Sequence, residues 1–112
     1  CDIHKVKGFA LNTSNYYATS TCIEYGKKIS NRLDNTHFVI DTSRNGNGAS
    51  SEHFNPFGRS IGQLPTTNTC DEIVDAYLWV KVPGESDGAV NGGPKAGRFS
   101  HHLALDLIHN KK

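Results

Sequence analysis

Hydrophobic positions along the chain form three short apolar runs and two stretches with helical spacing. The runs V-K-G-F-A-L at residues 6–11, H-F-V-I at 37–40 and I-V-D-A-Y-L-W-V at 73–80 predict buried strands. A helix is predicted between the first two runs and another near the end of the chain. The apolar faces of these two helices consist of Cys22, Ile23, Tyr25, Ile29 and Leu33, and of Leu103, Ala104, Leu107 and Ile108.

Polar residues precede both predicted helices and are suited to cap them. Thr19 or Ser20 stands before the first helix and Ser100 before the second, where a side-chain oxygen accepts a free N–H group of the first turn. Residues 42–68, between the second and third strands, are rich in Gly, Asn, Ser and Pro and show no periodicity. A loop of this length in a compact domain is usually functional.

The order strand, helix, strand, long loop, strand, helix predicts an α/β fold with parallel strands, either a layer or part of a barrel. In such folds the ligand site lies beyond the carboxyl ends of the strands. We therefore expect one rim to collect the polar residues that follow the predicted strands. These are Asn15, Asp41, Arg44, Lys81, Glu85 and Asp87.

Composition excludes several classes of partner. The 112 residues include 12 basic and 11 acidic side chains without a basic block, so no nucleic-acid partner is expected. No apolar run approaches the roughly 20 residues that span a bilayer, so no membrane partner is expected. The three cysteines, Cys1, Cys22 and Cys70, do not have the spacing of a zinc site or of a redox-active pair. The histidines show no pattern typical of metal ligands, so no metal or cofactor is expected. Because the chain begins at Cys1 and contains no Met, we expect a processed chain or a fragment.

The turn G-E-S-D-G is the main candidate for chemistry. Glu85 and Asp87 lie on it, shortly after Lys81. A nearby cation keeps a carboxylate ionised, which suits a base or a stabiliser of positive charge in a glycosidase. An exposed acidic turn with surface ion pairs is the alternative.

Arg44 and the aromatic residues of the loops leave more than one interpretation open. Arg44 precedes N-G-N-G, which would suit phosphate, but the phosphate-loop spacing is absent and a solvated turn is the alternative. Trp79 is expected in the core. The loop aromatics either stack on sugar faces or anchor their loops; they are Tyr16, Tyr17, His53, Phe54 and Phe57.

Three long strings of the chain together resemble glycoside hydrolase family 6, the cellobiohydrolases and endoglucanases. They are H-F-V-I-D-T-S-R-N-G-N-G from His37, P-T-T-N-T-C-D-E-I-V-D-A-Y-L-W-V-K from Pro65, and V-P-G-E-S-D-G from Val82. The segment N-P-F-G-R-S-I-G at residues 55–62 fits the same family. The resemblance implies that residues 1–112 are the C-terminal fragment of one catalytic domain, a distorted (β/α) barrel with parallel strands. It also implies a secreted, extracellular enzyme.

The resemblance also implies roles for individual residues. Asp87 falls on the catalytic base, and Arg44 and Lys81 fall on the two cations that hold this base ionised. Lys81 and Glu85 match positions that hydrogen-bond sugar hydroxyls, and Asn15 resembles an asparagine that reaches the substrate. The family's general acid and its helper aspartate belong to loops before Cys1. The remainder of the catalytic domain is therefore an expected partner, and we expect these 112 residues alone to be inactive.

The chain departs from the family pattern around the catalytic turn. His53 and Phe54 stand where the family usually has Trp-Cys, with the Trp stacked on a glucose ring, so they are candidates for contacting the sugar there. Ala89 stands where the partner of that cysteine normally lies, so we expect packing alone to tether the loop. Cys70 stands where Gly is common, and this substitution is unexplained.

The resemblance implies hydrolysis of β-1,4-glucosidic bonds in cellulose or related β-glucans with inversion at the anomeric carbon. An acid outside this chain would protonate the leaving oxygen while Asp87 assists the attacking water from the opposite face. No cofactor is implied. The alternative is a non-catalytic glucan-binding remnant of a cellulase, suggested by the changed aromatic position and the missing acid.

Overall fold

The computed structural model describes residues 7–49 and 54–111, and the elements follow one another in the predicted order. The strands are β1 (Gly8–Leu11), β2 (His37–Asp41) and β3 (Val74–Leu78), and the helices are α1 (Thr19–Asn31) and α2 (His101–His109). The first and third strands are shorter than predicted, and Val6 lies outside the described residues. No helix within the described part is long and apolar enough to cross a bilayer.

The strands form one parallel sheet in the order β1-β2-β3. β1 pairs with β2 from Gly8↔His37 to Leu11↔Ile40, and β2 pairs with β3 from Phe38↔Val74 to Asp41↔Leu78. Because all three strands run the same way, their carboxyl ends meet at one edge of the sheet. The prediction of an α/β fold with parallel strands is confirmed.

The core lies on the central strand, where Phe38 and Ile40 are fully buried. Phe9 of β1 stacks on Phe38 with ring centroids 5.2 Å apart. α1 contacts this core through Cys22, Gly26 and Ser30, which lie on one face of the helix. The predicted apolar face of α1 is therefore wrong at Tyr25, which is exposed because the helix packs through small residues instead.

Gly26 allows α1 to approach the sheet closely, since a Cβ atom there would collide with the ring of Phe38. Gly26→Ala would gain about 1 kcal/mol of helix propensity, but overpacking typically costs about 1–3 kcal/mol. We expect a net loss of stability, measured as a lower urea midpoint at unchanged m-value. Thr21→Ala, at an exposed position of the same helix, is the control and should not destabilise. An unchanged midpoint for Gly26→Ala would show that Phe38 can move aside.

One of the two predicted helix caps is present. The Ser100 hydroxyl accepts the N–H of Leu103, as predicted for α2. The cap predicted for α1 is wrong, because Ala18 holds the capping position and Thr19 is already helical. The Thr19 hydroxyl instead accepts a hydrogen bond from the Asn45 amide at 3.0 Å, which ties the helix to the loop after β2.

Two apolar residues are less buried than expected. Trp79 lies just beyond β3 and is only half-buried, and its indole N–H donates to the carbonyl oxygen of Gln63 at 2.9 Å. Ile108 of α2 is exposed, whereas Leu107 beside it is buried. The expected core position of Trp79 is therefore not found.

Candidate active site

The buried carboxylate of Asp41 joins the loops that follow all three strands. Its Oδ2 accepts the backbone N–H groups of Ser14 and Lys81, at 2.9 and 3.1 Å. Its Oδ1 accepts the N–H of Ser43 at 2.9 Å. Asp41 was predicted at the rim without a role, and the structure shows that it holds the rim together.

A buried ion pair between Arg44 and Asp87 lies at this rim. Arg44 Nη1 is 2.7 Å from Asp87 Oδ2, and the two side chains are only 4% and 9% exposed. Lys81 Nζ lies 3.5 Å from the other oxygen, Asp87 Oδ1. The predicted proximity of both cations to Asp87 is confirmed, and the alternative of a solvated turn is wrong for Arg44.

The two oxygens of Asp87 have different surroundings. Oδ2 accepts three hydrogen bonds, from Arg44 Nη1 and the Tyr16 hydroxyl at 2.7 Å each and from Asn55 N at 2.9 Å. Oδ1 faces Lys81. Burial alone would raise the pKa of Asp87, but these hydrogen bonds and the charge of Arg44 outweigh burial and lower it. Asp87 is therefore an ionised, weakly basic carboxylate, and from the described residues its Oδ1 accepts fewer hydrogen bonds than its Oδ2.

Tyr16 is a residue of this site that sequence reasoning missed. It was considered only as a sugar-stacking or anchoring aromatic, and the structure shows an anchor that is 2% exposed. Its hydroxyl donates to Asp87, and its ring lies 4.4 Å from Arg44 Cζ. Burial and the hydrogen bond to Asp87 raise the pKa of Tyr16, so it remains a neutral donor.

Asn55 is the second missed residue and holds the turn that carries Asp87. Its Oδ1 accepts the N–H of Asp87 at 2.8 Å, and its Nδ2 donates to the carbonyl oxygens of Gly88 and Val90 at 2.8 and 3.0 Å. Asn91 Nδ2 adds a bond to the Phe54 carbonyl at 3.2 Å. The expectation that packing alone tethers this loop is therefore wrong.

The other predicted site residues are more dispersed. Glu85 lines the same crevice as Tyr16 and Arg44 and is half-buried. The side-chain oxygen of Asn15 accepts the N–H of Tyr16 at 2.8 Å. Asn15 lines a different opening from the crevice of Glu85. Phe54 is exposed, and His53 lies outside the described residues. The predicted substrate contacts of these four residues remain predictions.

The described residues contain no group of three or more His, Cys, Asp or Glu side chains that could hold a metal ion. Cys22 and Cys70 are both free thiols, the first buried and the second exposed. Burial raises the pKa of the Cys22 thiol. Cys1 lies outside the described residues.

The rim of a parallel sheet with a buried cation–carboxylate pair is a site typical of an α/β enzyme. The sequence model for glycosyl hydrolases family 6 matches residues 2–111. The chain therefore belongs to glycoside hydrolase family 6, as its resemblance implied. It is 53% identical over 105 residues to "Endoglucanase A" of Cellulomonas fimi, a match that covers 94% of this chain and 23% of that protein.

Solved structures of the family share the fold. The endoglucanase Cel6 from Mycobacterium tuberculosis, solved with methyl-cellobiosyl-4-deoxy-4-thio-β-D-cellobioside, matches with a TM-score of 0.91 and 48% identity. The match covers 97% of this chain and 39% of that chain. The catalytic core of the cellobiohydrolase Cel6A from Chaetomium thermophilum matches with a TM-score of 0.80 and 27% identity, covering 96% and 41%. These matches confirm the predicted fold class, a part of a distorted barrel.

The chain is short relative to its family. It spans 23%, 35% and 23% of the length of three curated relatives, all endoglucanases.

Proposed function

We propose that these residues supply the base side of an inverting active site that hydrolyses β-1,4-glucosidic bonds. The observation that carries this proposal is the buried Arg44–Asp87 pair, in which the donors of the described residues converge on Asp87 Oδ2 while Oδ1 lies 3.5 Å from Lys81 Nζ. The general acid would come from another part of the same catalytic domain. We further propose that the enzyme is secreted, since its substrate would be an extracellular polymer.

The environment of Asp87 suits the chemistry of inversion. The bond between the anomeric carbon and the glycosidic oxygen breaks as the acid protonates that oxygen, while water attacks from the opposite face and gives its proton to the base, Asp87. An inverting site keeps its two carboxyl groups about 6.5–9.5 Å apart to admit this water. Because its pKa is lowered, Asp87 is ionised before the reaction, so its Oδ1 can orient the water and accept its proton, and its charge stabilises the positive charge that develops on the sugar.

The substrate class is supported by the names of the relatives. These are endoglucanases and cellobiohydrolases, and the Mycobacterium tuberculosis structure holds a thio-linked cellobioside. Lys81 and Glu85 would bind sugar hydroxyls beside Asp87. The exposed rings of Phe54 and Phe57 would offer apolar surfaces to the sugar, with His53 as a further candidate.

A chimera tests the function directly. This chain replaces the matching segment of Cellulomonas fimi Endoglucanase A, and hydrolysis of a soluble β-1,4-glucan is followed together with the anomeric configuration of the first product by NMR. We expect hydrolysis that initially gives the α-anomer, with the unmodified Endoglucanase A as the control. A folded chimera that binds glucan without cleaving it would instead identify a non-catalytic remnant.

Glu85 is expected to act in binding rather than in the chemical step. Glu85→Gln in the chimera should raise KM by about three- to tenfold, the effect of weakening one hydrogen bond, with kcat nearly unchanged. The matched control is Glu72→Gln, an exposed carboxylate before the amino end of β3. A large loss of kcat at constant KM would instead assign Glu85 to the chemistry.

A further inference from the structure

Tyr16 differs from the other aromatic residues of its loops. Tyr17 and Phe57 are 52% and 72% exposed, whereas Tyr16 is 2% exposed and contacts both members of the buried ion pair. Its hydroxyl lies 2.7 Å from Asp87 Oδ2 and its ring lies against the Arg44 guanidinium. One side chain therefore touches the anion by hydrogen bonding and the cation through its ring face.

The loop that carries Tyr16 is itself held at several points. Ser14 N donates to the carboxylate of Asp41, and the Ser14 carbonyl accepts Arg44 Nη2 at 2.8 Å. The N–H of Tyr16 donates to the side-chain oxygen of Asn15. The phenol is thus presented to Asp87 from a restrained backbone rather than from a mobile loop.

Three donors converge on Asp87 Oδ2, and they come from different parts of the chain. The backbone N–H of Asn55 and the guanidinium of Arg44 complete the set with the Tyr16 hydroxyl. With all three in place, a rotation of the carboxylate would break several bonds at once. The orientation of Oδ1 therefore depends on the donors to Oδ2.

We propose that Tyr16 is a positioning residue, whose hydroxyl holds Asp87 Oδ2 so that Oδ1 stays beside Lys81 and faces the attacking water. This inference rests on the proposed hydrolytic function. Tyr16 does not contact the substrate and exchanges no proton. Its effect on the reaction passes entirely through Asp87.

The test compares Tyr16→Phe with Tyr25→Phe, at an exposed position of α1, in the chimera. Tyr16→Phe retains the ring against Arg44 and removes one hydrogen bond to a charged group, so kcat should fall about tenfold with little change in KM. The acid limb of the pH profile of kcat/KM should move to higher pH, because loss of this donor raises the pKa of Asp87. Tyr25→Phe should change neither quantity.

A second measurement does not depend on activity. The Asp87 carboxyl is titrated by ¹³C NMR in the folded wild-type chimera and in Tyr16→Phe, so an inactive chimera would contradict the hydrolytic proposal without affecting this comparison. If Tyr16→Phe fails to fold, difluorotyrosine inserted at position 16 retains the shape and strengthens the donor, and the titration of Asp87 should then move to lower pH. An unchanged titration of Asp87 in a folded variant would overturn the proposal.

Discussion

Asp87→Asn is expected to lower kcat by at least about 100-fold, the contribution typical of a general acid–base group, while glucan binding is largely retained. The amide oxygen can replace Oδ2 and accept the hydrogen bonds from Tyr16, Arg44 and Asn55. The amide nitrogen would then lie at the position of Oδ1, where it is uncharged and faces the Lys81 ammonium. The variant therefore loses both the negative charge and the acceptor for the attacking water.

Steady-state hydrolysis of a soluble β-glucan, together with binding to insoluble cellulose, measures this effect in the chimera. Asp34→Asn, in the exposed turn after α1, is the matched control and should retain full activity. Asp34 has a positive φ of 55°, which Asn tolerates well. Retention of more than about a tenth of the wild-type kcat by Asp87→Asn, where general acid–base catalysis predicts far less, would show that this carboxylate is structural.

Arg44→Met is expected to have the largest effect on stability. Removing one partner of a buried ion pair typically lowers the free energy of unfolding by about 3–5 kcal/mol, because the remaining charge stays buried without its partner. We expect the free energy of unfolding to fall by about 3 kcal/mol, the lower end of that range, because Lys81 still lies 3.5 Å from Asp87. Urea unfolding of the chimera at neutral pH measures the change. Arg44→Lys keeps the charge but not the paired contacts to Asp87 and Ser14, and should fall between wild type and Arg44→Met.

The pH dependence separates charge from packing at Arg44. Because the folded pKa of Asp87 is lowered, the pair contributes stability above the ordinary carboxyl pKa of about 3.9 and loses it as the pH falls through the lowered value. The stability difference between wild type and Arg44→Met should therefore shrink at acid pH. An equal difference at neutral and acid pH would show that Arg44 stabilises the protein by packing alone.

The position of the polar residues that follow the predicted strands could be derived from the local sequence pattern. Apolar runs joined by a helix and a long loop predict parallel strands, and parallel strands bring their carboxyl ends to one edge. Arg44, Lys81 and Asp87 could therefore be placed together from the order of elements. The motif strings added the resemblance to the family, which the match over residues 2–111 confirmed, and implied the roles that we propose for these residues.

The sequence by itself thus determined the fold class, the family and the charged residues around Asp87, because these depend on periodicity, element order and motif spacing. Only the tertiary structure decided which neutral residues support that carboxylate. The Tyr16 hydroxyl reaches Asp87 across 71 positions of the chain, and Asn55 reaches it across 32. Nothing local distinguishes Tyr16 from the exposed Tyr17 beside it, because burial and hydrogen-bond partners are set by segments that meet only when the sheet has formed.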